Sequence, residues 1–225
     1  MSSDLFYPFS YDKRRPIFIG PILFVPEFFT QEDQNFHKNF SCQEWSSIFN
    51  HQKIRVEFCS GNGQWIIDRA KKHPDILWIA VEIRFDRVQK IYKKIKQDQL
   101  NNCLVVLGMG ELFAKYYLKP SSIEKAYINF ADPWPKRKHA KNRICQQAFF
   151  DLLKIALKDG GQIVIATDDE DYMQQGVDEL FKSGFNALNP HPFFKELESD
   201  YGTSFFEDLW AKKGKKNLKT EFIKL

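Results

Sequence analysis

Cysteine is scarce in this sequence and offers no obvious pairs. Cys42, Cys59, Cys103 and Cys145 are widely separated, and no two form a C-x-x-C pair. That spacing argues against a zinc knuckle or a disulfide scaffold and leaves reduced thiols in an intracellular protein as the simplest state. Histidine is equally sparse. His37, His51, His73, His139 and His191 stand at no metal-ligand spacing with Cys, Asp or Glu, so no metal is expected. No apolar run approaches the ~18 residues needed to cross a bilayer. No basic leader precedes an apolar stretch. The expected location is therefore the cytoplasm, with no membrane partner. Internal repeats, low-complexity blocks, a P-loop, a nucleophile elbow and an arguable Ser-His-Asp arrangement are missing as well. Neither sign of charge dominates: 33 basic and 29 acidic residues leave a formal net charge of +4. A solvated surface carries that without any polyanionic partner.

What is present is an ordinary globular balance, 43% apolar and 28% charged, in 225 residues, enough for one large domain with a substantial core. Aromatics are abundant, with 22 Phe, 8 Tyr and 5 Trp. They build cores and also stack on nucleic-acid bases, and composition alone does not separate the two uses. The basic residues are clustered. Lys13, Arg14 and Arg15 lie near the start, Lys136, Arg137, Lys138, Lys141 and Arg143 in the middle, and Lys212, Lys213, Lys215 and Lys216 near the end. Brought together in space, these clusters would form a phosphate-binding surface.

Residues 1–35 lack clear periodicity and hold Pro8, Pro16, Pro21 and Pro26, which predicts an extended or partly mobile arm leading into a single domain over 36–225. Helical spacing of Phe36, Phe40, Trp45, Ile48 and Phe49 predicts a helix over 36–51. Strands then alternate with helices. Strands are predicted at 54–58, 77–82, 103–107, within 123–130, at 162–167 and at 218–223. Helices are predicted at 65–73, 87–97, 142–157 and 172–183. The pattern is that of an α/β fold, a mainly parallel sheet with helices on both faces, joined by right-handed crossovers. In such sheets the ligand lies beyond the C-terminal ends of the strands, where strand order reverses.

The candidate functional residues fall at those ends. Glu57-Phe58-Cys59-Ser60-Gly61-Asn62-Gly63 is a strand-to-helix turn whose small residues let backbone approach a ligand closely, though a tight turn without a ligand has the same appearance. Glu82 follows 19 residues after Gly63, where a carboxylate reads a ribose hydroxyl pair. Together these point to a nucleoside cofactor without separating a nicotinamide dinucleotide from S-adenosylmethionine. Asp132-Pro133-Trp134-Pro135 continues into Lys136-Arg137-Lys138-His139. It offers a strand-tip carboxylate, a flat aromatic face and phosphate-binding cations on a stiff loop, or else a rigid turn with a solvated charge run. Asp168 adds a second carboxylate after the fifth strand, and could equally cap the next helix.

These residues resemble the bacterial tRNA (guanine-N(7)-)-methyltransferases, class I enzymes with a Rossmann-like fold. The resemblance covers roughly residues 20–225 and is most specific at Asp132-Pro133-Trp134-Pro135-Lys136. It implies S-adenosyl-L-methionine as cofactor and tRNA as partner, with a guanine at position 46 of the variable loop as target. It implies that Glu57, Gly61, Gly63, Glu82, Met109 and Asp132 surround the cofactor and that Asp132 is the active-site acid. Lys136, Asp168, Ser204 and Glu207 then fall at substrate-binding positions, in a monomer or homodimer. Three departures stand out: Cys59 replaces a usual glycine, Met109 replaces an acidic or amide residue, and Ser204 replaces threonine. The runner-up readings are a methyltransferase for another RNA base or a protein, a nicotinamide-dependent dehydrogenase, and an RNA-binding module with a degenerate cofactor site.

Overall fold

The computed structural model describes residues 5–10, 14–27, 30–198, 201–202 and 216–225. The apolar runs identified above become the middle of one sheet. β1 (Ile17–Ile19) and β2 (Ile22–Phe24) form a hairpin at one edge, and β2 pairs parallel with β5 (Cys103–Leu107). β5 pairs with β4 (Leu77–Glu82), β4 with β3 (Ile54–Phe58), β3 with β6 (Ile123–Asn129) and β6 with β7 (Leu157–Thr167), all parallel. β10 (Leu218–Ile223) then runs antiparallel to β7. Its outer edge carries the short strands β8 (Asn186–Ala187) and β9 (Lys195–Glu196). The order is β1-β2-β5-β4-β3-β6-β7-β10-β8, so strand order reverses between β3 and β6.

Alternation along the strands sends side chains to two cores. Ile54, Val56 and Phe58 face α5 (Gly110–Tyr116), α6 (Gln147–Ala156) and α7 (Glu170–Lys182), packing with Phe113, Phe149 and Met173. Trp78 and Ala80 face α3 (Gln64–Lys72) and α4 (Phe85–Gln97), packing with Trp65, Ile66, Val88 and Ile91. Full burial of one such large apolar side chain contributes ~1.5–3 kcal/mol. Among the described residues no helix is long and apolar enough to cross a membrane, and no group of three or more His, Cys, Asp or Glu could hold a metal.

Several elements differ from the sequence reading: β8 and β9 were not expected, and β7 begins at Leu157 rather than at 162. Within the stretch read as an arm, β2 is a buried strand, with Leu23 fully enclosed. Gly20-Pro21 is a hairpin turn between two apolar triplets, with Gly20 at φ +56°. The helix expected over 36–51 divides into α1 (Gln31–Lys38), α2 (Gln43–Ser47) and a 3₁₀ turn at Ile48–Asn50. α5 was not foreseen, being only seven residues long. The helix expected over 142–157 is a 3₁₀ turn at Arg137–Asn142 followed by α6, because Arg143 takes an extended backbone between them.

Candidate active site

Because β3 to β7 are parallel, their C-terminal ends share one edge, and the candidate residues at strand ends are gathered there by topology. After β3 the chain turns through three left-handed residues, Cys59 (φ +60°), Gly61 (φ +56°) and Gly63 (φ +72°), before α3 begins. Gly63 also lies against α4: a Cβ there would meet Ile91 Cγ1 at 2.6 Å. Cys59 holds a conformation that costs a side-chain-bearing residue on the order of 1–2 kcal/mol, at the position where glycine is the expected residue.

Glu82 ties this turn to β4. Its Oε2 accepts from Gly61 N–H at 2.8 Å and its Oε1 from Arg84 N–H at 2.9 Å, with Arg87 at 3.6 Å as countercharge. Gly108 N–H donates to the Glu82 carbonyl at 3.1 Å, drawing the end of β5 alongside. Gly108 also passes so near the chain after β2 that a Cβ would meet Val25 Cβ and its carbonyl oxygen, each at 2.7 Å. Met109 follows, half-buried, at the N-cap of α5.

Glu57 is buried at the switch point, one strand from Glu82. Its Oε1 accepts from Asn129 Nδ2 at 2.8 Å, whereas its Oε2 is a buried oxygen without a hydrogen-bond partner. Burial pushes its carboxyl up to about 8. The Asn129 hydrogen bond opposes that shift and the Glu82 charge adds to it. Asn129 Oδ1 in turn accepts from Tyr201 Oη at 2.7 Å, and Tyr201 stacks on Trp65 at 5.5 Å. Neither Asn129 nor Tyr201 was given a role from sequence. Asn129 sits inside the Asp132 motif, but its partners are 72 residues away on either side.

Beyond β6 the loop is strained around Asp132. Phe130 (φ +50°) and Trp134 (φ +42°) both hold left-handed conformations. Asp132 is exposed, and its Oδ1 accepts from Trp134 N–H at 3.0 Å. Arg143 fixes the far side, donating to the Pro133 carbonyl at 2.7 Å and the Trp134 carbonyl at 3.1 Å, and reaching Gln175. Arg143 is thus a staple inside the protein, which removes it from the cluster read as phosphate-binding. Trp134 is half-buried and tilted against His139, with centroids 5.6 Å apart. Lys136 is exposed at the start of the 3₁₀ turn.

Asp168 is half-buried at the end of β7. The capping role it might have held belongs to Asp169, which accepts from Tyr172 N–H at 2.9 Å. The structure thus places Glu57, Gly61, Gly63, Glu82, Met109, Asp132 and Asp168 along one edge, with Lys136 in the loop that leaves it. Ser204 and Glu207 lie outside the described residues.

The family model described as "Putative methyltransferase" matches residues 51–220. A tRNA (guanine-N(7)-)-methyltransferase of Chlamydia pneumoniae is 38% identical over 222 residues, covering 98% of this chain and 96% of the relative. The same-named protein of Thermotoga maritima is 33% identical over 181 residues, 78% of this chain and 55% of the relative. Among solved structures, an antibiotic-related methyltransferase superposes with a TM-score of 0.62 at 19% identity, over 83% of this chain and 96% of that one. A 30S ribosomal A1408 methyltransferase from an uncultured bacterium gives 0.56 at 18% identity, over 84% and 96%. At these identities the likeness of the solved structures is one of fold.

Proposed function

The chain belongs to the tRNA (guanine-N(7)-)-methyltransferase family, and from that premise we propose how its strand-end rim carries the reaction. The enzyme transfers the methyl group of S-adenosyl-L-methionine to the position-7 nitrogen of a guanine in tRNA. That cofactor supplies an already electrophilic methyl group, and the guanine nitrogen carries a lone pair and no proton. The protein therefore has no proton to remove before attack, and its task is alignment at near-attack distance.

The residues present fit the cofactor. The observation that carries the reading is Glu57: a buried carboxylate oxygen without a protein partner at the sheet's switch point is an acceptor waiting for a ligand donor. We assign it the amino group of the cofactor's methionine moiety. Glu82 keeps lone pairs to spare beyond its two backbone bonds and takes the ribose hydroxyls. Gly61 and Gly63 bring backbone close. Met109 offers a polarizable apolar surface to the adenine in place of a side-chain acceptor.

Asp132 orients the guanine by accepting from its exocyclic amine or ring N–H, and its charge favours the positive charge that develops on the base. Asp168 shares that edge, and Ser204 and Glu207 are assigned to guanine binding by the family resemblance alone. Lys136 holds a tRNA phosphate. The target guanine, at position 46 of the variable loop, is splayed from its stack to reach the crevice.

Incubation of total tRNA with labelled cofactor, followed by nucleoside analysis, tests the reaction. Label in 7-methylguanosine, absent when position 46 of a transcript is changed, is the expected result. Label in a different nucleoside overturns it.

A further inference from the structure

The sheet face that carries α3 contains a cavity of about 180 Å³. Arg55 and Trp78, the second residues of β3 and β4, line it together with Tyr127 of β6, Trp65 at the start of α3 and Tyr201.

Cations predominate in its lining. Arg55, Arg69, Lys125 and Lys219 line it with one carboxylate, Glu221, while Glu198 pairs with Lys219 from beside it. Each cation rests near an aromatic ring. Arg55 lies 5.7 Å from Trp78, Arg69 5.4 Å from Trp65, Lys125 5.6 Å from Tyr127 and Lys219 5.5 Å from Tyr201. Glu221 is 2.9 Å from Lys219 but 3.8 Å from Lys125, and the Glu124 carboxylate comes no nearer than 3.8 Å to Arg55 Nε. Burial lowers the pKa of the Lys125 ammonium, and Arg55 and Lys219 push the same way against Glu221.

Two unpaired donors belong to residues that line the cavity. Trp78 is fully buried and its indole N–H has no hydrogen-bond partner, and Arg55 Nε–H is likewise buried without an acceptor. A dry, unpaired donor opposes folding unless something meets it. Donors from two strands, beside clustered cations, can be met together by an oxyanion with several acceptor oxygens, as a phosphate has.

The geometry points to this cavity as a phosphate-binding site, with the Trp78 indole and Arg55 as donors and Lys125 as countercharge. The phosphate comes either from a free nucleotide or from the tRNA backbone, and the two sources separate experimentally.

The wild-type enzyme, labelled at its indole nitrogens and with the Trp78 resonance assigned through Trp78→Phe, is titrated with inorganic phosphate, AMP and acetate at constant ionic strength in chloride. A saturable shift of the Trp78 resonance with phosphate or AMP, weakened at least tenfold in Arg55→Gln/Lys125→Gln, establishes the site with a free nucleotide as its source. If neither saturates, an at least tenfold fall in tRNA affinity in the same variant, with a smaller salt slope and unchanged S-adenosylmethionine affinity, establishes the backbone source. Equal binding of acetate, or no change in any arm, overturns the proposal. Should the double variant fail to fold, Lys125→Gln alone carries both comparisons, and the titration itself is read on the wild-type enzyme. Cofactor affinity and methylation are read separately, so failure here leaves the methyl-transfer reading intact.

Discussion

At the scale of the residue, Glu57 and Asp132 make opposite demands. Glu57 is buried with its pKa raised from 4.5 to about 8, so the folded, ligand-free protein holds its proton more tightly than the unfolded chain does. The stabilising contribution is complete below about pH 4.5 and is lost as pH rises through about 8. Thermal melts of the free enzyme are therefore expected to drop between those limits, and Glu57→Gln to flatten the drop. Cofactor binding, which favours the ionised carboxylate, is expected to tighten over the same window and release a proton, measurable by calorimetry in buffers of different ionisation enthalpy. A melt profile for Glu57→Gln that parallels wild type would refute the assignment. Asp132 is exposed and holds Trp134 N–H, so its charge and its turn have to be separated. Asp132→Asn keeps an acceptor for Trp134 and removes the charge. It should lower kcat on the order of 10²-fold or more, with cofactor affinity nearly unchanged. Near-normal turnover would remove Asp132 from the reaction. Both carboxylates were legible in the sequence, because a strand end followed by a turn marks them. The Tyr201–Asn129–Glu57 chain was not, because it exists only once residues 72 apart are brought together.

At the scale of the element, the same contrast recurs. The bounds of β3, β4 and β5 match the expected strands residue for residue; β4 and β5 are almost continuously apolar, as strands buried on both faces are, whereas β3 alternates Ile54, Val56 and Phe58 with Arg55 and Glu57. β1 and β2 were hidden by four nearby prolines, and their burial depends on β5 arriving from later in the chain. The start of α6 was misplaced because Arg143, helical by propensity, is committed to the loop after β6. That loop holds two left-handed non-glycine residues around Asp132, each costing ~1–3 kcal/mol, and such strain persists only where neighbours over-determine it. Arg143→Ala should therefore lose about 1–3 kcal/mol of stability with its charged hydrogen bonds. It should also lower kcat/KM for tRNA while cofactor affinity holds. Arg143→Lys should rescue little, since an ammonium cannot fork between two carbonyls. Full rescue by lysine would mean that only the charge matters.

At the scale of the whole molecule, a net charge of +4 says little about where RNA lies, and the structure redistributes it. Arg143 serves the loop, Arg15 lies 4.4 Å over the Phe36 ring, and Lys216 pairs with Glu196, so basic residues that look alike in sequence do different work. Lys136, Lys138 and Lys141 are exposed on or beside the 3₁₀ turn that leaves the active-site edge. If tRNA crosses that edge, these lysines release counterions on binding and Arg143 does not. Lys136→Ala should weaken tRNA binding at low salt and reduce the slope of log K against log salt by about 1. Arg143→Ala should slow methylation while leaving the slope unchanged. The two variants thus distinguish a phosphate contact from a structural staple within one loop. Equal slopes for Lys136→Ala and wild type would place the RNA elsewhere, and a reduced slope for Arg143→Ala would mean that the loop, rather than any single lysine, presents the cationic surface.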